Sequence, residues 1–186
     1  NLPNPYSEKK QVLVFTGAMD YWANVDAVTW FAEQVLPLIR EELAEVEFYI
    51  VGSKPTAKVL ELNKVDGVTV TGRVDDVRPY LQHAEISVAP LHIARGIQNK
   101  VLEAMAMAKP VVATNPAMHG LEGCDQFAPL VTDEAQSMAH ILKDLLQSDA
   151  ATEWGQKGRQ YVESSFDWEN NLTLLLDLLN GEKPDG

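Results

Sequence analysis

Short hydrophobic runs alternate along this chain with longer segments in which hydrophobic residues recur at helical spacing. Most of the short runs end at a glycine, a proline or a threonine, which is typical of strands buried on both faces of a parallel sheet. These runs predict strands at residues 12–15, 46–51, 68–71, 86–89 and 111–114, with a weaker one at 129–131.

The remaining segments repeat their hydrophobic residues every three or four positions, as a helix with one buried face does. In the first of them Asn24 or Asp26 is available to cap the start of the helix. The pattern predicts helices at residues 28–39, 56–63, 77–82, 97–107, 134–146, 151–163 and 168–179.

Strands that alternate with helices predict right-handed crossovers and a doubly wound α/β domain with a mostly parallel sheet. Extra C-terminal helices follow the last strand. Residues 1–10 contain two prolines and no hydrophobic period, so we interpret them as a linker entering the domain. Ligands of such a domain bind at the carboxyl ends of the strands.

Composition excludes several classes of protein. The 186 residues are 46% hydrophobic and 23% charged, as in a folded domain, and the formal net charge is −12. This charge argues against a nucleic-acid partner and means that an anionic ligand needs a locally basic pocket. No hydrophobic stretch approaches the roughly 20 residues of a membrane span. With Cys124 as its single thiol and no export signal, the chain is expected to be cytoplasmic.

Familiar catalytic motifs are missing from the sequence. Neither G-x-G-x-x-G nor G-x-x-x-x-G-K-[ST] occurs, which argues against a dinucleotide oxidoreductase or a P-loop nucleotidase. There is also no G-x-S-x-G elbow, and the cysteine and four histidines lack metal-ligand spacing. We therefore expect no metal and no cofactor.

The stretch PLHIARGIQNKVLEAMAMAKPVVAT, residues 90–114, carries the most chemical information. A strand ends, a loop with Arg95 and Gly96 follows, and a helix begins near Ile97, so backbone N–H groups at the helix start can bind an anion. Lys100 lies in the first turn, within reach of a phosphate, and Glu103 lies one turn further, where it can accept hydrogen bonds from ribose hydroxyls. The alternative is a surface ion pair between Lys100 and Glu103.

This stretch resembles the donor-binding signature of the group 1 glycosyltransferases, which have two Rossmann-like domains in the GT-B arrangement. The similarity continues through VLVFTGAMDYWANVDAVTWF, FYIVG, VTVTGRVDDVRPYL and SFDWENN, and extends to sugar transferases associated with bacterial exopolysaccharide and protein-sorting gene clusters. It implies a C-terminal donor-binding domain at residues 11–165. It also implies that residues 166–186 cross back towards an N-terminal acceptor domain, which this sequence does not include.

The resemblance also implies roles for individual residues. Glu103 matches the second glutamate of the family's E-x7-E motif, which binds the donor ribose, and Arg95 stands at the position of the first glutamate. Gly96 faces the donor's phosphates and sugar, and the backbone of Val74 hydrogen-bonds the base. Gly17 lets the donor approach the end of the first strand, although a simple turn glycine is equally compatible with its position.

Many relatives carry an arginine and a lysine in the loop after the first strand, and here both are missing. We hypothesise that Arg95 and Lys100 neutralise the diphosphate and stabilise it as a leaving group, together with N–H groups at the helix start near Ile97. Arg73 is interpreted as a surface charge or an ion-pair partner. Tyr21 and Trp22 are expected to cover the donor or to contact the acceptor domain.

The resemblance thus implies transfer of a glycosyl group from a nucleotide sugar to a polysaccharide or lipid-linked acceptor. Retention of anomeric configuration, metal independence, peripheral location at the inner membrane and inactivity of this part alone are further expectations. Two alternatives are a non-catalytic module that has lost donor binding and half of a nucleotide-sugar 2-epimerase, which as a rule lacks the LEAMA-x-x-KPVVAT signature.

Overall fold

A computed structural model describes residues 2–6 and 11–166. Within these residues, parallel strands form a five-stranded sheet in the order β3-β2-β1-β4-β5. All residues of β1, β4 and β5 are buried, as expected for strands covered on both faces. The strands are β1 Val12–Thr16, β2 Glu47–Val51, β3 Val68–Gly72, β4 Ile86–Ala89 and β5 Val111–Ala113.

Helices connect the strands and complete the doubly wound architecture. The chain runs from β1 to β3 in one direction along the sheet and from β4 to β5 in the other, so right-handed crossovers place their helices on opposite faces. The α-helices are α1 Trp22–Trp30, α2 Leu36–Arg40, α3 Ala57–Glu61, α4 Arg78–His83, α5 Asn99–Ala106, α6 Asn115–Met118, α7 Ala135–Leu146 and α8 Ala150–Ser165. The predicted fold class, a doubly wound α/β domain with additional C-terminal helices, is confirmed.

The predicted strand at residues 129–131 is wrong. A 3₁₀ helix, Cys124–Leu130, occupies most of this segment, and only a single parallel bridge joins Val131 to Ala113. Pro129 lies inside the 3₁₀ helix and has no N–H group to donate to a strand ladder. The short helix α6 was not anticipated from the sequence.

The first helix also differs from its prediction, because it begins at Trp22 and neither Asn24 nor Asp26 caps it. A π-helical turn, Phe31–Val35, separates α1 from α2. Pro37 follows this turn and cannot donate a backbone hydrogen bond to it, which accounts for the wider winding. Because α1 begins at Trp22, Asn24 lies inside its first turn, and its side chain is available for other contacts.

Helix α8 fixes the position of α5 through two glycines. A Cβ atom at Gly155 would lie 2.1 Å from the carbonyl oxygen of Ala108, and one at Gly158 would lie 3.1 Å from Met105 Cγ. The two helices therefore pack with almost no side chain between them at these points. This close packing fixes the C-terminal end of α5, the helix that carries Lys100 and Glu103, against α8.

The described residues include only part of the segments at the two ends of the chain. Tyr6 is buried, donates a hydrogen bond from its hydroxyl to the carbonyl of Tyr80 at 2.7 Å, and packs edge-on against Tyr49. This part of the predicted linker therefore packs against the domain. The predicted helix at 168–179, and the crossing segment as a whole except for Phe166, lie outside the described residues.

Candidate functional site

The candidate site lies where the order of the strands reverses. β1 and β4 are neighbours at the centre of the sheet, and the chain leaves them towards opposite edges, which opens a crevice at their carboxyl ends. A cavity of about 940 Å³ occupies this crevice. Its lining residues are Thr16, Gly17, Val51, Gly52, Ser53, Lys54, Arg73, Val74, Val77, Ile97, Gln98, Asn99, Lys100 and Glu103.

Two glycines let β1 and β2 meet at the cavity wall. A Cβ atom at Gly52 would lie 1.6 Å from the carbonyl oxygen of Gly17, and one at Gly17 would lie 2.8 Å from Asn24 Nδ2. The backbone N–H of Gly17 donates to the carbonyl of Val51 at 3.0 Å. A side chain at Gly17 would have to displace the amide of Asn24, so this glycine has a packing role beyond that of a turn residue.

Helix α5 begins at Asn99, two residues later than predicted, with Gln98 as its N-cap. The N-cap makes no side-chain hydrogen bond to the helix, and N–H groups in the first turn have no partner within the helix. Gln98 and Asn99 both line the cavity, so the positive end of the helix dipole lies at its wall. Ile97 belongs to the preceding loop and also lines the cavity.

Lys100 occupies the first turn of α5 but does not form the surface ion pair with Glu103 that its spacing allows. Its ammonium donates a 2.6 Å hydrogen bond to Asn24 Oδ1 and lies 4.6 Å from the centre of the Phe15 ring. Burial lowers the pKa of Lys100 to about 8, against the opposing effect of the negative charge on Glu103. The result is a largely buried cation at the cavity wall whose charge depends on pH near 8.

Glu103 lies one helical turn beyond Lys100, as predicted. Its side chain is exposed and lines the same cavity. Among the described residues no Lys, Arg or His pairs with it within 4 Å. Both of its carboxylate oxygens can therefore accept hydrogen bonds from a ligand.

Two further cations border the cavity from the β2 and β3 side. Lys54 directly follows Gly52 and Ser53, has a left-handed φ of 53°, and lies 3.3 Å from Asp20. Arg73 follows β3, and the nearby Asp76 pairs with Arg78 at 2.8 Å. Lys54 was not among the residues predicted to form the site.

The loop before α5 does not bring all of its predicted residues to the cavity. Arg95 and Gly96 are exposed and do not line the cavity, whereas Ile97 does. Gly96 has a φ of 64°, and nothing lies within 4 Å of the position that its Cβ would take. This glycine is therefore needed for its left-handed backbone and not for space.

Val74 lines the cavity together with Arg73 and Val77. Tyr21 and Trp22, at the start of helix α1, have 49% and 56% of their surfaces exposed and are not among the residues that line the cavity. The structure thus brings five of the seven predicted site residues to this cavity, namely Gly17, Val74, Ile97, Lys100 and Glu103. None of the helices in the described part of the chain is long and apolar enough to cross a membrane.

Sequence comparison connects this chain with known proteins. Residues 10–148 match the family model described as "Glycosyl transferases group 1". A curated relative, the GDP-mannose-dependent alpha-(1-6)-phosphatidylinositol monomannoside mannosyltransferase of Mycobacterium tuberculosis, is 27% identical over 166 residues, which cover 79% of this chain and 42% of the relative. The chain therefore spans less than half the length of this relative.

Solved structures of glycosyltransferases share the fold. A Staphylococcus aureus TarM mutant in complex with fondaparinux, alpha-GlcNAc-glycerol and UDP superposes with a TM-score of 0.73 at 20% identity, covering 97% of this chain and 37% of TarM. The C-terminal domain of a group 1 glycosyl transferase, LpcC of Francisella tularensis, gives 0.64 at 16% identity, covering 86% of this chain and 87% of that one. With the family model matching most of its length, the chain belongs to the group 1 glycosyl transferases.

Proposed function

We propose that this chain is the nucleotide-sugar-binding part of a glycosyltransferase and that the donor binds in the cavity at the end of β1 and β4. The observation that carries the proposal is the meeting of Gly17, Val74, Lys100 and Glu103, from separate loops and a helix, at one cavity wall. These residues supply a close backbone approach, a cation and an unpaired carboxylate. A nucleoside diphosphate offers a partner for each of them, with phosphates for the cation and the backbone and ribose hydroxyls for the carboxylate.

In the proposed arrangement the donor lies across the start of α5. The base lies beside Val74, where the backbone hydrogen-bonds it, and the ribose hydroxyls donate to the exposed carboxylate of Glu103. The diphosphate lies one turn back, next to Lys100 and the N–H groups at the helix start. Gly17 leaves room for the phosphates at the end of β1.

Transfer breaks the bond between the sugar's anomeric carbon and the diphosphate oxygen, and the oxygen of an acceptor hydroxyl forms the new bond to that carbon. The hydroxyl proton passes to the leaving diphosphate, which departs as the nucleoside diphosphate. Lys100 and the helix-start N–H groups stabilise the negative charge that develops on the leaving diphosphate. Arg95 lies in the exposed loop before α5, from which we propose that it contributes a second positive charge. Neutralisation by these groups supports a mechanism that needs no metal ion, and we propose retention of the anomeric configuration.

Our proposed acceptor is a polysaccharide or a lipid-linked glycan. The name of the mycobacterial relative includes a phosphatidylinositol mannoside, which supports the lipid-linked form. The same relative is named for GDP-mannose, whereas TarM was solved with UDP, so guanine and uracil are the two bases to test first. We also propose that the acceptor is bound by a region outside these residues, so that the chain alone binds donor without transferring sugar.

The proposal is tested by calorimetric titration of the chain with UDP, GDP and ADP. We expect saturable binding of one of them and roughly tenfold weaker binding by Glu103→Gln, because a charged hydrogen-bond acceptor is lost. Glu45→Gln is the matched control, since Glu45 is exposed and precedes β2, at the amino ends of the strands and away from the cavity. Absence of binding to all three nucleotides would contradict the proposal and favour a module that has lost donor binding.

A further inference from the structure

The side chain of Asn24 connects the loop after β1 to helix α5. It is 5% exposed, and both ends of its amide are bonded. Nδ2 donates to the carbonyl of Ala18 at 2.8 Å, and Oδ1 accepts from the ammonium of Lys100 at 2.6 Å. Asn24 and Lys100 are 76 residues apart in sequence, so this contact exists only in the folded domain.

The surroundings of Lys100 leave part of its ammonium available to a ligand. Within the described residues, Asn24 is its hydrogen-bond partner and the Phe15 ring covers one side. An ammonium carries three N–H donors, and one of them is used here. The other two are available for oxygen atoms in the cavity that Lys100 lines.

We propose that Asn24 is a positioning residue that holds the Lys100 ammonium at the cavity wall for the diphosphate of the donor. This inference rests on the proposed function, which it deepens by naming the residue that fixes the cation. A lysine side chain has four rotatable bonds, and fixing its end before the ligand arrives lowers the entropy lost on binding. Asn24 does this without contacting the ligand itself.

An amide is suited to this task because it accepts a hydrogen bond without carrying a charge. An aspartate at position 24 would neutralise Lys100 and repel the phosphates, whereas Asn24 leaves the positive charge available to them. The charged groups that share the cavity wall are Glu103 on the same helix and Lys54 and Arg73 from the facing loops. Gly17 belongs to the same arrangement, because a Cβ atom there would lie 2.8 Å from Asn24 Nδ2 and displace the amide.

A double-mutant cycle measured by nucleoside diphosphate titration separates positioning from a general structural role. We expect Asn24→Ala to lower the affinity about tenfold in the wild-type background and less than about twofold in a Lys100→Met background, because the cation it positions is then absent. An equal loss in both backgrounds, or no loss in the wild type, would overturn the inference.

A measurement on the ligand-free chain keeps this inference distinct from the proposed function. The pKa of Lys100 is followed by NMR of its ¹³Cε signal, and we expect it to fall in Asn24→Ala and to rise in Asn24→Asp, which preserves the size of the side chain. An unchanged pKa in both variants would overturn the inference. Shifted pKa values without nucleotide binding by the wild type would support positioning by Asn24 and reject the proposed function.

Discussion

Two regions lie next to the start of α5 but differ in how firmly their residues are held. The first, which we call the β1–α5 contact, consists of Phe15, Gly17, Asn24 and Lys100. Phe15 and Asn24 are buried, Lys100 is half-buried and hydrogen-bonded to Asn24, and a side chain at Gly17 would displace the Asn24 amide. The second is the loop at residues 90–98, in which Arg95, Gly96 and Ile97 are exposed.

This difference shows that two residues of one sequence motif can differ in burial and in hydrogen bonding although they are close in the sequence. Arg95 and Lys100 are five positions apart and were predicted to share one task. In the structure Lys100 is fixed by residues from the first strand and first helix, whereas Arg95 remains on the exposed loop. A fixed cation binds an anion with less loss of conformational entropy than a mobile one.

The largest expected effect is a difference in stability between two glycine-to-alanine variants, one at a position without room for a Cβ atom and one at a position with room. Gly52→Ala places a Cβ atom 1.6 Å from the carbonyl oxygen of Gly17, so we expect the free energy of unfolding to fall by about 3 kcal/mol or more. In Gly96→Ala the new Cβ atom contacts no neighbour, so we expect the free energy of unfolding to fall by only about 1 kcal/mol, the cost of a left-handed backbone at alanine. Chemical denaturation of both variants measures the difference, and equal losses would contradict it.

A smaller effect is expected from the two cations. Lys100→Met should weaken nucleoside diphosphate binding about tenfold to a hundredfold, because a charged hydrogen bond at a largely buried position is lost. Arg95→Met should weaken it less than about threefold, since an exposed side chain is screened by water and salt. Isothermal titration at one ionic strength compares the two variants. A tenfold loss from Arg95→Met would show that the loop closes over the ligand.

The smallest expected effect is the dependence of nucleoside diphosphate affinity on pH. Because burial lowers the pKa of Lys100 to about 8, its charge is present below that pH and is lost as the pH rises through it. A bound diphosphate favours the charged form, so affinity should be greatest below about pH 8 and fall by up to about tenfold between about pH 7 and pH 9. Titrations across this range test it, with Lys100→Met as the control. A fall of equal size in that variant would assign the effect to another group.

The same pKa has a consequence for stability. Between about 8 and the ordinary value of 10.5 the unfolded chain binds a proton at Lys100 that the folded chain does not, so this group makes folding more favourable as the pH rises. Binding and stability therefore change in opposite directions over the same pH range. This opposition is expected of a cation that is held in a desolvated place for a ligand.

Much of the fold was predictable because strands in a parallel sheet have a simple sequence pattern. Buried runs such as Val12–Thr16 and Ile86–Ala89 were located correctly, since both faces of these strands exclude water. Errors occurred where local signals compete. The hydrophobic residues near Pro129 predicted a strand but form a 3₁₀ helix. Asn24 is of a residue type that often caps helices, but it lies inside the first turn of α1.

The site was predictable to a similar degree. Helical spacing placed Lys100 and Glu103 one turn apart, and in the structure both residues lie on α5 at that spacing. Lys54 was missed because its approach to the cavity depends on a left-handed turn after β2, which no residue type in Ser53-Lys54-Pro55 requires. The role of Arg95 stays a prediction.

The sequence by itself determined the alternation of strands and helices, the family of the chain and the helix that carries Lys100 and Glu103. These properties follow from local periodicity and from a motif of consecutive residues. Only the tertiary structure decided that Asn24 meets Lys100 and that Gly52 meets Gly17, because both contacts join segments distant in the chain. Such contacts arise when the sheet brings the ends of β1, β2 and β4 together, and local sequence patterns do not record that geometry.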